Sequence, residues 1–321
     1  MIKLGIIGTS DIAKKSILPY AKVAGFKVLG VASRDVVSAK RYANHNMIQR
    51  YYRDYISMLE DDDIECVYIA LPPTEHAKWV ITSLSHNKHV LVEKPVCLKS
   101  TEYSKIQSLV YNNDIFFMEA IMIRYHPWLP TIKNLIMSEE YGRILSSFVE
   151  ISMYIPENMK EGYRLKVELG GGVLYDQLAY WICIMQCIIG TDISDISISE
   201  IEKMDGIIGA AKVECNIKNC HCTFYCSYNS KFCSDLHLEF EKGKMTVKNF
   251  FRASMGKYKV RININADNED TVISIAPQNY YLNQLNQFAK GIRNRPIDKK
   301  EQILECSERI AIFENIISLI K

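Results

Sequence analysis

A lysine, an aspartate and a tyrosine stand at positions where a proton could be moved. Lys94 follows the apolar run at 89–92 and one glutamate, and Pro95 favours an extended backbone before it. Asp176 and Tyr180 lie four residues apart in a segment with helical spacing, so both side chains can face one cleft. A nearby ammonium lowers the pKa of a phenol, and partial burial lowers the pKa of a lysine. These residue types indicate general acid–base chemistry, with Tyr180 or Lys94 moving the proton and Asp176 orienting the pair.

A second set of residues forms a candidate phosphate-binding turn near the N-terminus. Gly8-Thr9-Ser10-Asp11-Ile12-Ala13 follows the apolar run at 3–7, where dinucleotide-binding folds carry G-x-G-x-x-G/A. Such a turn brings main-chain N–H groups close to a pyrophosphate at a helix start. Ser10 replaces the second glycine, so its Cβ narrows the approach while its hydroxyl can donate to a phosphate oxygen. An ordinary strand-to-helix turn is the alternative. The candidate contacts to the pyrophosphate are Gly8, Thr9, Ser10 and Ile12.

The end of the second predicted strand bears on which dinucleotide is bound, because the adenine ribose is expected there. An acidic residue at this position binds a free ribose 2′-hydroxyl, whereas a hydroxyl followed by a guanidinium suits a 2′-phosphate. Ser33 and Arg34 therefore favour NADP over NAD. Two alternatives stay open: Arg34 as a solvated loop residue, and Asp35 as the ribose ligand after a small shift in register, which would favour NAD.

Two further turns complete the predicted cofactor site. One follows the apolar run at 66–70 and leads into a helix start, and the other ends the next strand. Ligands of doubly wound folds sit at the carboxyl ends of the strands, so both turns are expected near the nicotinamide. A structural role is the alternative for the histidine among them. The expected contacts are Leu71, Pro72, His76, Glu93 and Lys94.

The sequence that positions these residues divides into two regions with different patterns of apolar residues. Up to about residue 120, short β-branched runs alternate with amphipathic segments, which is typical of β-α-β units and a parallel sheet. Beyond residue 142, two-residue alternation indicates a mainly antiparallel sheet, interrupted by a helix at 174–188, and two helical stripes close the chain. The sequence predicts an α/β protein with a dinucleotide-binding domain over 1–120 and a substrate-binding domain over 121–321. The predicted strands are 3–7, 27–32, 66–70, 89–92, 116–119, 145–154, 211–217, 236–240 and 245–247, and the predicted early helices are 11–23 and 75–85.

Composition excludes several classes of protein. The 321 residues include 39 Lys plus Arg and 37 Asp plus Glu, which gives a formal net charge of +2. Because the charges are spread through the sequence rather than gathered in a basic arm, they do not indicate nucleic-acid binding. No apolar stretch approaches the roughly 20 residues that cross a bilayer, and the N-terminus reads as a strand rather than a signal peptide, so we expect a soluble cytoplasmic protein. The ten cysteines are expected as reduced thiols. Cys220, Cys222 and Cys226 share parity on one predicted strand, which favours packing over a metal site.

Several motifs occur together across nearly the whole chain. They are the opening strand, the His76 turn, Glu93-Lys94-Pro95, Met118-Glu119-Ala120 leading to Arg124-Tyr125-His126-Pro127, and Arg164-Leu165 followed by Gly170-Gly171-Gly172, Asp176 and Tyr180. In this order and spacing they resemble the Gfo/Idh/MocA oxidoreductase family. The resemblance implies an N-terminal Rossmann domain, a C-terminal α+β domain with an open antiparallel sheet, and nicotinamide-dependent redox at carbinol carbons, often of sugars. It also implies a homodimer or larger homo-oligomer. Leu178 departs from the family, which commonly has glycine there.

The leading hypothesis is an NADP(H)-dependent oxidoreductase that interconverts a hydroxyl and a carbonyl on a sugar, nucleotide sugar or related polyol. Tyr180 is the expected proton donor or acceptor, with Lys94 as its electrostatic partner, and these roles could be exchanged. Arg124 and Arg164 are candidates for binding substrate, with surface salt bridges as the alternative. The other readings are an NAD-dependent dihydrodiol or cyclic polyol dehydrogenase, and a non-catalytic nucleotide-binding sensor of the same fold.

Overall fold

The computed structural model describes residues 1–156, 161–267, 269–294 and 299–320, and the chain divides into two compact units. The first comprises Met1–Ile121 together with Tyr281–Ile310, and the second comprises Met122–Tyr280 together with Ala311–Lys321. One division of the chain lies between Ile121 and Met122. The predicted second domain over 121–321 differs, because the chain returns to the first unit for one stretch near its C-terminus.

A six-stranded parallel sheet forms the centre of the first unit, with strand order β3-β2-β1-β4-β5-β6. Four of its strands are almost wholly buried, and three of these are rich in Val, Ile and Leu, the pattern of a parallel sheet covered on both faces. The short strand β3 was not predicted, because three residues carry no readable periodicity. The strands are β1 (Ile2–Ile7), β2 (Phe26–Ala32), β3 (Arg50–Tyr52), β4 (Cys66–Ile69), β5 (His89–Glu93) and β6 (Phe117–Ala120).

Five helices connect these strands. The first is much shorter than the predicted helix at 11–23, because it ends at Ser16 and turns fill the chain up to Gly25. Pro19 explains this, since a proline in a helix interior removes a hydrogen bond and clashes with the preceding turn. The fourth helix begins two residues before the predicted start at 75. The helices are α1 (Asp11–Ser16), α2 (Val36–His45), α3 (Tyr55–Leu59), α4 (Pro73–Ser85) and α5 (Ser100–Asn112).

The returning C-terminal stretch contributes core to the first unit. On α8 (Tyr280–Arg293), Phe288 is buried and its ring stacks on Phe26 of β2 at 5.7 Å between centroids. At the start of α9 (Lys299–Ser318), the main-chain oxygen of Ile303 accepts a hydrogen bond from the Tyr103 hydroxyl at 2.9 Å. Ile303, Cys306 and Ile310 belong to the same apolar cluster as the sheet. Helix α8 from Tyr281 and α9 up to Ile310 therefore complete the first unit, whereas α9 from Ala311 belongs to the second.

An eight-stranded sheet forms the second unit, with strand order β14-β13-β12-β11-β7-β10-β9-β8. Its described neighbours pair antiparallel except β7 and β10, which run parallel. The predicted mainly antiparallel sheet is thus confirmed. The strands are β7 (Ile144–Ser152), β8 (Ile193–Met204), β9 (Ile207–Ile217), β10 (Cys220–Ser227), β11 (Cys233–Phe240), β12 (Gly243–Val247), β13 (Val260–Ala266) and β14 (Glu269–Ile275).

Helix α7 (Val173–Ile188) packs on one face of this sheet, where Trp181 stacks on Phe224 at 5.5 Å. The second unit also contains α6 (Trp128–Met137) and several single 3₁₀ turns. Cys220, Cys222 and Cys226 are buried on one side of β10, which agrees with apolar packing. Within the described ranges, no group of three or more His, Cys, Asp or Glu side chains is arranged to hold a metal ion. None of the helices described is long and apolar enough to cross a membrane.

Candidate active site

The turn after β1 requires glycine at its first position. Gly8 has φ of +102°, and a Cβ placed there would lie 2.7 Å from the main-chain oxygen of Ala70. The N–H of Gly8 donates to the main-chain oxygen of Ala32 at 2.9 Å. The turn therefore passes between the ends of β2 and β4, at the carboxyl edge of the sheet where a doubly wound fold binds its ligand.

Ser10 forms the N-cap of α1, and its Oγ accepts a hydrogen bond from the N–H of Ala13 at 3.3 Å. The hydroxyl of Tyr42, on α2, donates to the main-chain oxygen of Ser10 at 3.1 Å. Burial raises the pKa of Tyr42, with a smaller contribution from Asp11, so the phenol keeps its proton as donor. Thr9 and Ile12 are partly exposed beside this turn. The turn is thus held by a side chain from a neighbouring helix, a contact that the sequence did not reveal.

The end of β2 places Ser33 partly exposed and Arg34 exposed. Asp35 is the N-cap of α2 and its carboxylate accepts hydrogen bonds from the N–H groups of Val37 at 3.1 Å and Ser38 at 2.9 Å. The Ser38 hydroxyl donates to the same carboxylate at 2.7 Å, and these bonds lower the pKa of Asp35. The acidic side chain at this position is therefore engaged by its own helix.

His76 differs from its expected role as a cofactor contact. Its side chain is buried at 1% exposure, with Nδ1 lying 2.7 Å from the main-chain oxygen of Pro95 and Nε2 lying 2.7 Å from that of Leu71. Both ring nitrogens are thus occupied by main-chain oxygens. Burial lowers the pKa of His76, so the ring is neutral near neutral pH. Leu71 and Pro72 are partly exposed in the turn that this ring supports.

Lys94 follows the last residue of β5 and is 6% exposed. The peptide bond between Lys94 and Pro95 is cis. The next residue, Val96, donates its N–H to Oε1 of Glu119 at 3.1 Å. The main chain just after Lys94 is therefore contacted by two side chains from other elements, His76 from α4 and Glu119 from β6.

Glu119 is part of a buried ion pair that the sequence did not assign to the site. Its Oε2 accepts hydrogen bonds from Nη2 of Arg309 at 2.9 Å and from Nε at 3.2 Å. Glu119 is 4% exposed and Arg309 is 6% exposed. A buried charge is strongly unfavourable without such a partner, so each residue depends on the other. The signal available in the sequence was an ionisable residue at the end of a buried strand.

Glu93, the last residue of β5, has a tyrosine neighbour from the adjoining strand. The Tyr68 hydroxyl donates to Oε1 of Glu93 at 2.5 Å. Burial raises the pKa of Tyr68 well above its usual range, and the Glu93 charge adds to this. Burial also raises the pKa of Tyr281, with Glu93 again contributing. Glu93 is thus placed among phenols of its own unit.

In the second unit, a glycine-rich turn precedes α7. A Cβ on Gly171 would lie 2.6 Å from the main-chain oxygen of Tyr163, and Gly172 has φ of +112° as the helix N-cap. The N–H of Gly172 donates to the main-chain oxygen of Arg164 at 2.9 Å. The glycines therefore bring the segment at 163–164 next to the first turn of α7, where Asp176 lies.

Asp176 is 3% exposed and is surrounded by hydrogen-bond donors. Burial and the Asp176 charge raise the pKa of the Tyr228 phenol, while the Asp176 charge raises that of Arg164. Arg164 thus forms an ion pair with a buried carboxylate rather than one at the surface, and Tyr228 is a member of the cluster that sequence reasoning missed. The donors to its carboxylate are Nε of Arg164 at 2.8 Å, Nε2 of Gln177 at 3.0 Å, the hydroxyl of Tyr228 at 3.0 Å and the hydroxyl of Tyr163 at 3.2 Å.

Tyr180 lies one helical turn after Asp176 and is partly exposed. Its ring packs edge-on against Phe251 with 4.8 Å between centroids. Leu178, the departure from the family pattern on this helix, is fully buried. Arg124 lies in a 3₁₀ turn, with Nη1 4.0 Å from the Cys187 sulfur. Tyr180 and Tyr175 are both partly exposed, so the Tyr180 phenol is one of two partly accessible phenols on α7.

Both units match models of one protein family. The model described as an oxidoreductase family with an NAD-binding Rossmann fold matches residues 2–120, and the model of the C-terminal domain of the same family matches residues 130–269. The chain belongs to the Gfo/Idh/MocA oxidoreductase family. The first unit of this family member therefore contains the family's NAD-binding Rossmann domain, and the predicted fold is confirmed.

Curated relatives of this Gfo/Idh/MocA protein include a sugar dehydrogenase and a nucleotide-sugar reductase. D-xylose 1-dehydrogenase (NADP(+)) 2 of Haloferax volcanii is 31% identical over 187 residues, which is 58% of this chain and 57% of the relative. A dTDP-3,4-didehydro-2,6-dideoxy-alpha-D-glucose 3-reductase of Saccharopolyspora spinosa is 32% identical over 176 residues, which is 54% of this chain and 52% of the relative. The chain thus matches somewhat more than half the length of these relatives.

A solved structure resembles the whole chain. KijD10, a 3-ketoreductase from Actinomadura kijaniata in complex with NADP and TDP-benzene, has a TM-score of 0.90 with 19% identity, covering 99% of this chain and 97% of that one. At this identity the similarity concerns the fold of the Gfo/Idh/MocA protein.

Proposed function

We propose that this protein is an NADP(H)-dependent oxidoreductase that interconverts a hydroxyl and a carbonyl on a sugar, nucleotide sugar or related polyol. The observation that carries the proposal is Lys94, a buried lysine in a tightly contacted turn at the carboxyl end of β5, in a chain of this family. The named relatives support the substrate class, since one is a xylose dehydrogenase and the other a nucleotide-sugar reductase. The proposed setting is the cytoplasm.

The residues of the first unit fit a dinucleotide. Gly8 keeps the turn after β1 free of a side chain, and the N-terminal N–H groups of α1 follow it. Preference for NADP is supported at the end of β2, because the Asp35 carboxylate is engaged by α2 while Arg34 is exposed next to Ser33. A guanidinium and a hydroxyl match a 2′-phosphate. Leu71, Pro72 and Glu93 are proposed along the nicotinamide ribose.

The proposed chemistry combines a hydride with a proton. The nicotinamide, when bound, supplies or takes up the hydride at C4. Tyr180 gives or takes the hydroxyl proton, and Lys94 acts as its electrostatic partner, with exchange of these roles left to experiment. Asp176 is proposed as a positioning residue, because its carboxylate already accepts hydrogen bonds from four neighbouring side chains. Arg124 and Arg164 are proposed beside the substrate.

Cofactor preference tests the first half of the proposal. We expect NADPH to bind at least about tenfold more tightly than NADH in a fluorescence titration, since a 2′-phosphate adds charge-assisted hydrogen bonds. Arg34→Ala should remove most of this preference. Arg53→Ala is the matched control, because Arg53 is also an exposed arginine of the first unit, at 80% exposure. Tighter binding of NADH by the unmodified protein would favour the alternative NAD-dependent dihydrodiol or cyclic polyol dehydrogenase.

Turnover tests the second half. With a panel of keto sugars, nucleotide keto sugars and polyols followed at 340 nm, Tyr180→Phe should lower kcat about 100-fold, within the usual range for loss of a general acid. NADPH binding should be kept. Tyr175→Phe, on the same helix with its ring against Phe313, should retain normal turnover. Cofactor binding without turnover of any panel member would favour the non-catalytic sensor.

We further propose a homodimer or larger homo-oligomer through the outer face of the eight-stranded sheet. Phe148 on β7 is 36% exposed there, with its ring 6.0 Å from the imidazole of His237 on β11. An exposed aromatic pair in the middle of a sheet face supports an interface, because such rings contribute strongly to association.

A further inference from the structure

The main chain directly after Lys94 has little opportunity for hydrogen bonding within a regular element. The parallel sheet ends at Glu93, and Pro95 has no N–H to donate. The polar main-chain groups that follow directly are the oxygen of Pro95 and the N–H of Val96. A buried polar group needs a hydrogen-bond partner, so what contacts these two groups fixes the path of the turn.

His76 contacts the first of these groups. Its ring lies between two turns, with Nδ1 2.7 Å from the Pro95 oxygen and Nε2 2.7 Å from the Leu71 oxygen. Leu71 follows β4 and Pro95 follows β5, so one buried ring joins the carboxyl ends of two neighbouring strands. A neutral imidazole carries one N–H, so only one of these two contacts can be a hydrogen bond at a time.

Glu119 contacts the second group from the opposite side. Its Oε1 accepts from the Val96 N–H at 3.1 Å, while its Oε2 is fixed by Arg309 at 2.9 Å. Because the ion pair with Arg309 is buried, it fixes the position of the Glu119 carboxylate that accepts from Val96. The groups just after Lys94 are thereby contacted from α4 on one side and from β6 on the other.

We propose that His76 is a positioning residue for Lys94: with its proton on Nδ1 it donates a hydrogen bond to the Pro95 oxygen, and this bond keeps the amine in the place that the reaction needs, with Glu119 holding the same turn at Val96. This inference rests on the proposed function for its catalytic meaning. Its structural content, that the contact between His76 and Pro95 fixes the Lys94 turn, is independent of the substrate. An imidazole that served only to fill the core would not have this effect.

Two amide substitutions separate the two contacts of the ring. In His76→Asn the side-chain amide nitrogen can occupy the place of Nδ1 and keep the hydrogen bond to Pro95. In His76→Gln it reaches the place of Nε2 and keeps only the contact with Leu71. The control is His89→Asn, because His89 is equally a buried histidine bonded to main chain, accepting at Nδ1 from the Phe116 N–H at 2.9 Å, but at the opposite end of β5.

The first readouts need no substrate. We measure acetylation of Lys94 by an amine-reactive ester with mass spectrometry, and hydrogen exchange of a peptide containing Val96, at a temperature where every variant is folded. His76→Gln should raise both rates at least about fivefold through local opening, while His76→Asn and His89→Asn stay within about twofold of the unmodified protein. Equal rates in the Asn and Gln variants, or the same rise in His89→Asn, would overturn the proposal.

Kinetics then test the catalytic meaning with a substrate found in the panel. His76→Gln should lower kcat at least about tenfold while the Kd for NADPH changes less than about threefold, since misplacing a reacting group costs rate rather than binding. His76→Asn should recover most of kcat. Unchanged kcat in His76→Gln would refute the positioning role. If no panel member reacts, the proposed function fails, and the labelling and exchange rates still decide whether His76 holds the turn.

Discussion

The two ends of the parallel sheet differ in how exposed their polar side chains are and in what those side chains hold in place. At the amino end, partly exposed charged side chains form a cluster: Arg50 forms ion pairs with Asp61 and with Asp63 at 2.7 Å each, Tyr52 donates to Asp61, and Lys3 pairs with Asp63. At the carboxyl end, buried side chains contact the turns that follow the strands. His76 contacts two main-chain oxygens, Glu119 accepts from Val96, and Tyr42 donates to Ser10.

This difference indicates two roles: the polar residues at the amino end stabilise the sheet, and those at the carboxyl end set the path of the turns. The amino-end charges neutralise each other and are mostly half-exposed, so they stabilise the sheet without defining a recess. The carboxyl-end residues are buried, and they set the backbone path of the turns that a ligand of this fold would meet. Substitutions at the amino end should therefore change stability, and equivalent ones at the carboxyl end should change function.

Two lysines flanking β5 give the largest expected contrast. Lys88, just before the strand, and Lys94, just after it, are both 6% exposed. Lys94→Ala should lower kcat by about 10²–10⁴-fold, the range for loss of a group that assists proton transfer, while NADPH still binds. Lys88→Ala removes the hydrogen bond from Nζ to the Asp61 oxygen at 2.9 Å and should lower Tm with normal kcat. A comparable loss of kcat in both variants would break the distinction.

Two glycines with positive φ give the next contrast. Gly8, at the carboxyl end, would place a Cβ 2.7 Å from a main-chain oxygen, whereas Gly25, just before β2 at the amino end, would meet the end of the Arg293 side chain at 2.6 Å. Gly25→Ala should cost about 1–3 kcal/mol of backbone strain, since the arginine can move. Gly8→Ala should lower the free energy of unfolding by more than this and weaken NADPH binding at least about tenfold, because the new Cβ would meet the main chain at Ala70 rather than a movable side chain.

These costs can be measured by urea unfolding together with NADPH titration of both variants. Gly25→Ala should bind NADPH as the unmodified protein does. If the Gly8→Ala protein also bound NADPH normally, the turn after β1 would not be the phosphate site.

Acid sensitivity gives the smallest expected effect. The hydrogen bond and charge of Lys3, with those of Arg50, lower the pKa of Asp63 to about 2 from its ordinary 3.8. The unfolded chain therefore takes up this proton first, so stability is lost as the pH falls from about 4 to 2. In Asp63→Asn, Tm measured by circular dichroism should fall less steeply between about pH 4 and 2. The control is Asp62→Asn, because Asp62 is an exposed neighbouring aspartate, and this variant should keep the steeper fall. A flattening in both variants would mean that the ion pair is not responsible.

The sequence predicted the fold where the pattern is local. The buried runs of β1, β4 and β5 and the helix around Leu178 were found because apolar residues repeat with one period over several residues. The return of α8 to the first unit was missed, because an apolar stripe shows that a helix is covered but not by what. Gly243 illustrates a subtler limit: it begins β12 between the predicted strands at 236–240 and 245–247, and it is needed because a Cβ would lie 2.5 Å from the Asn265 oxygen of another strand.

The candidate site shows the same limit. Motif and spacing singled out Gly8 and Lys94, and the structure places both at strand ends of the first unit. The pairing of Glu119 with Arg309 and the hydrogen bond from Tyr228 to Asp176 join residues far apart in the chain, and no local pattern connects them. His76 was found as a site residue but with a different partner, because sequence shows a side chain near a turn without showing which way its ring faces.

The discontinuity of the first unit has a consequence for how the protein is made. Residues 281–310 emerge from the ribosome after the rest of that unit, so Glu119 has no Arg309 to pair with until 190 further residues have been synthesised. A nascent chain that has completed its six parallel strands still lacks the cation that neutralises this carboxylate. Ribosome-bound fragments ending before Arg309 should therefore remain open to protease near Val96, and fragments long enough to expose α9 should be protected there.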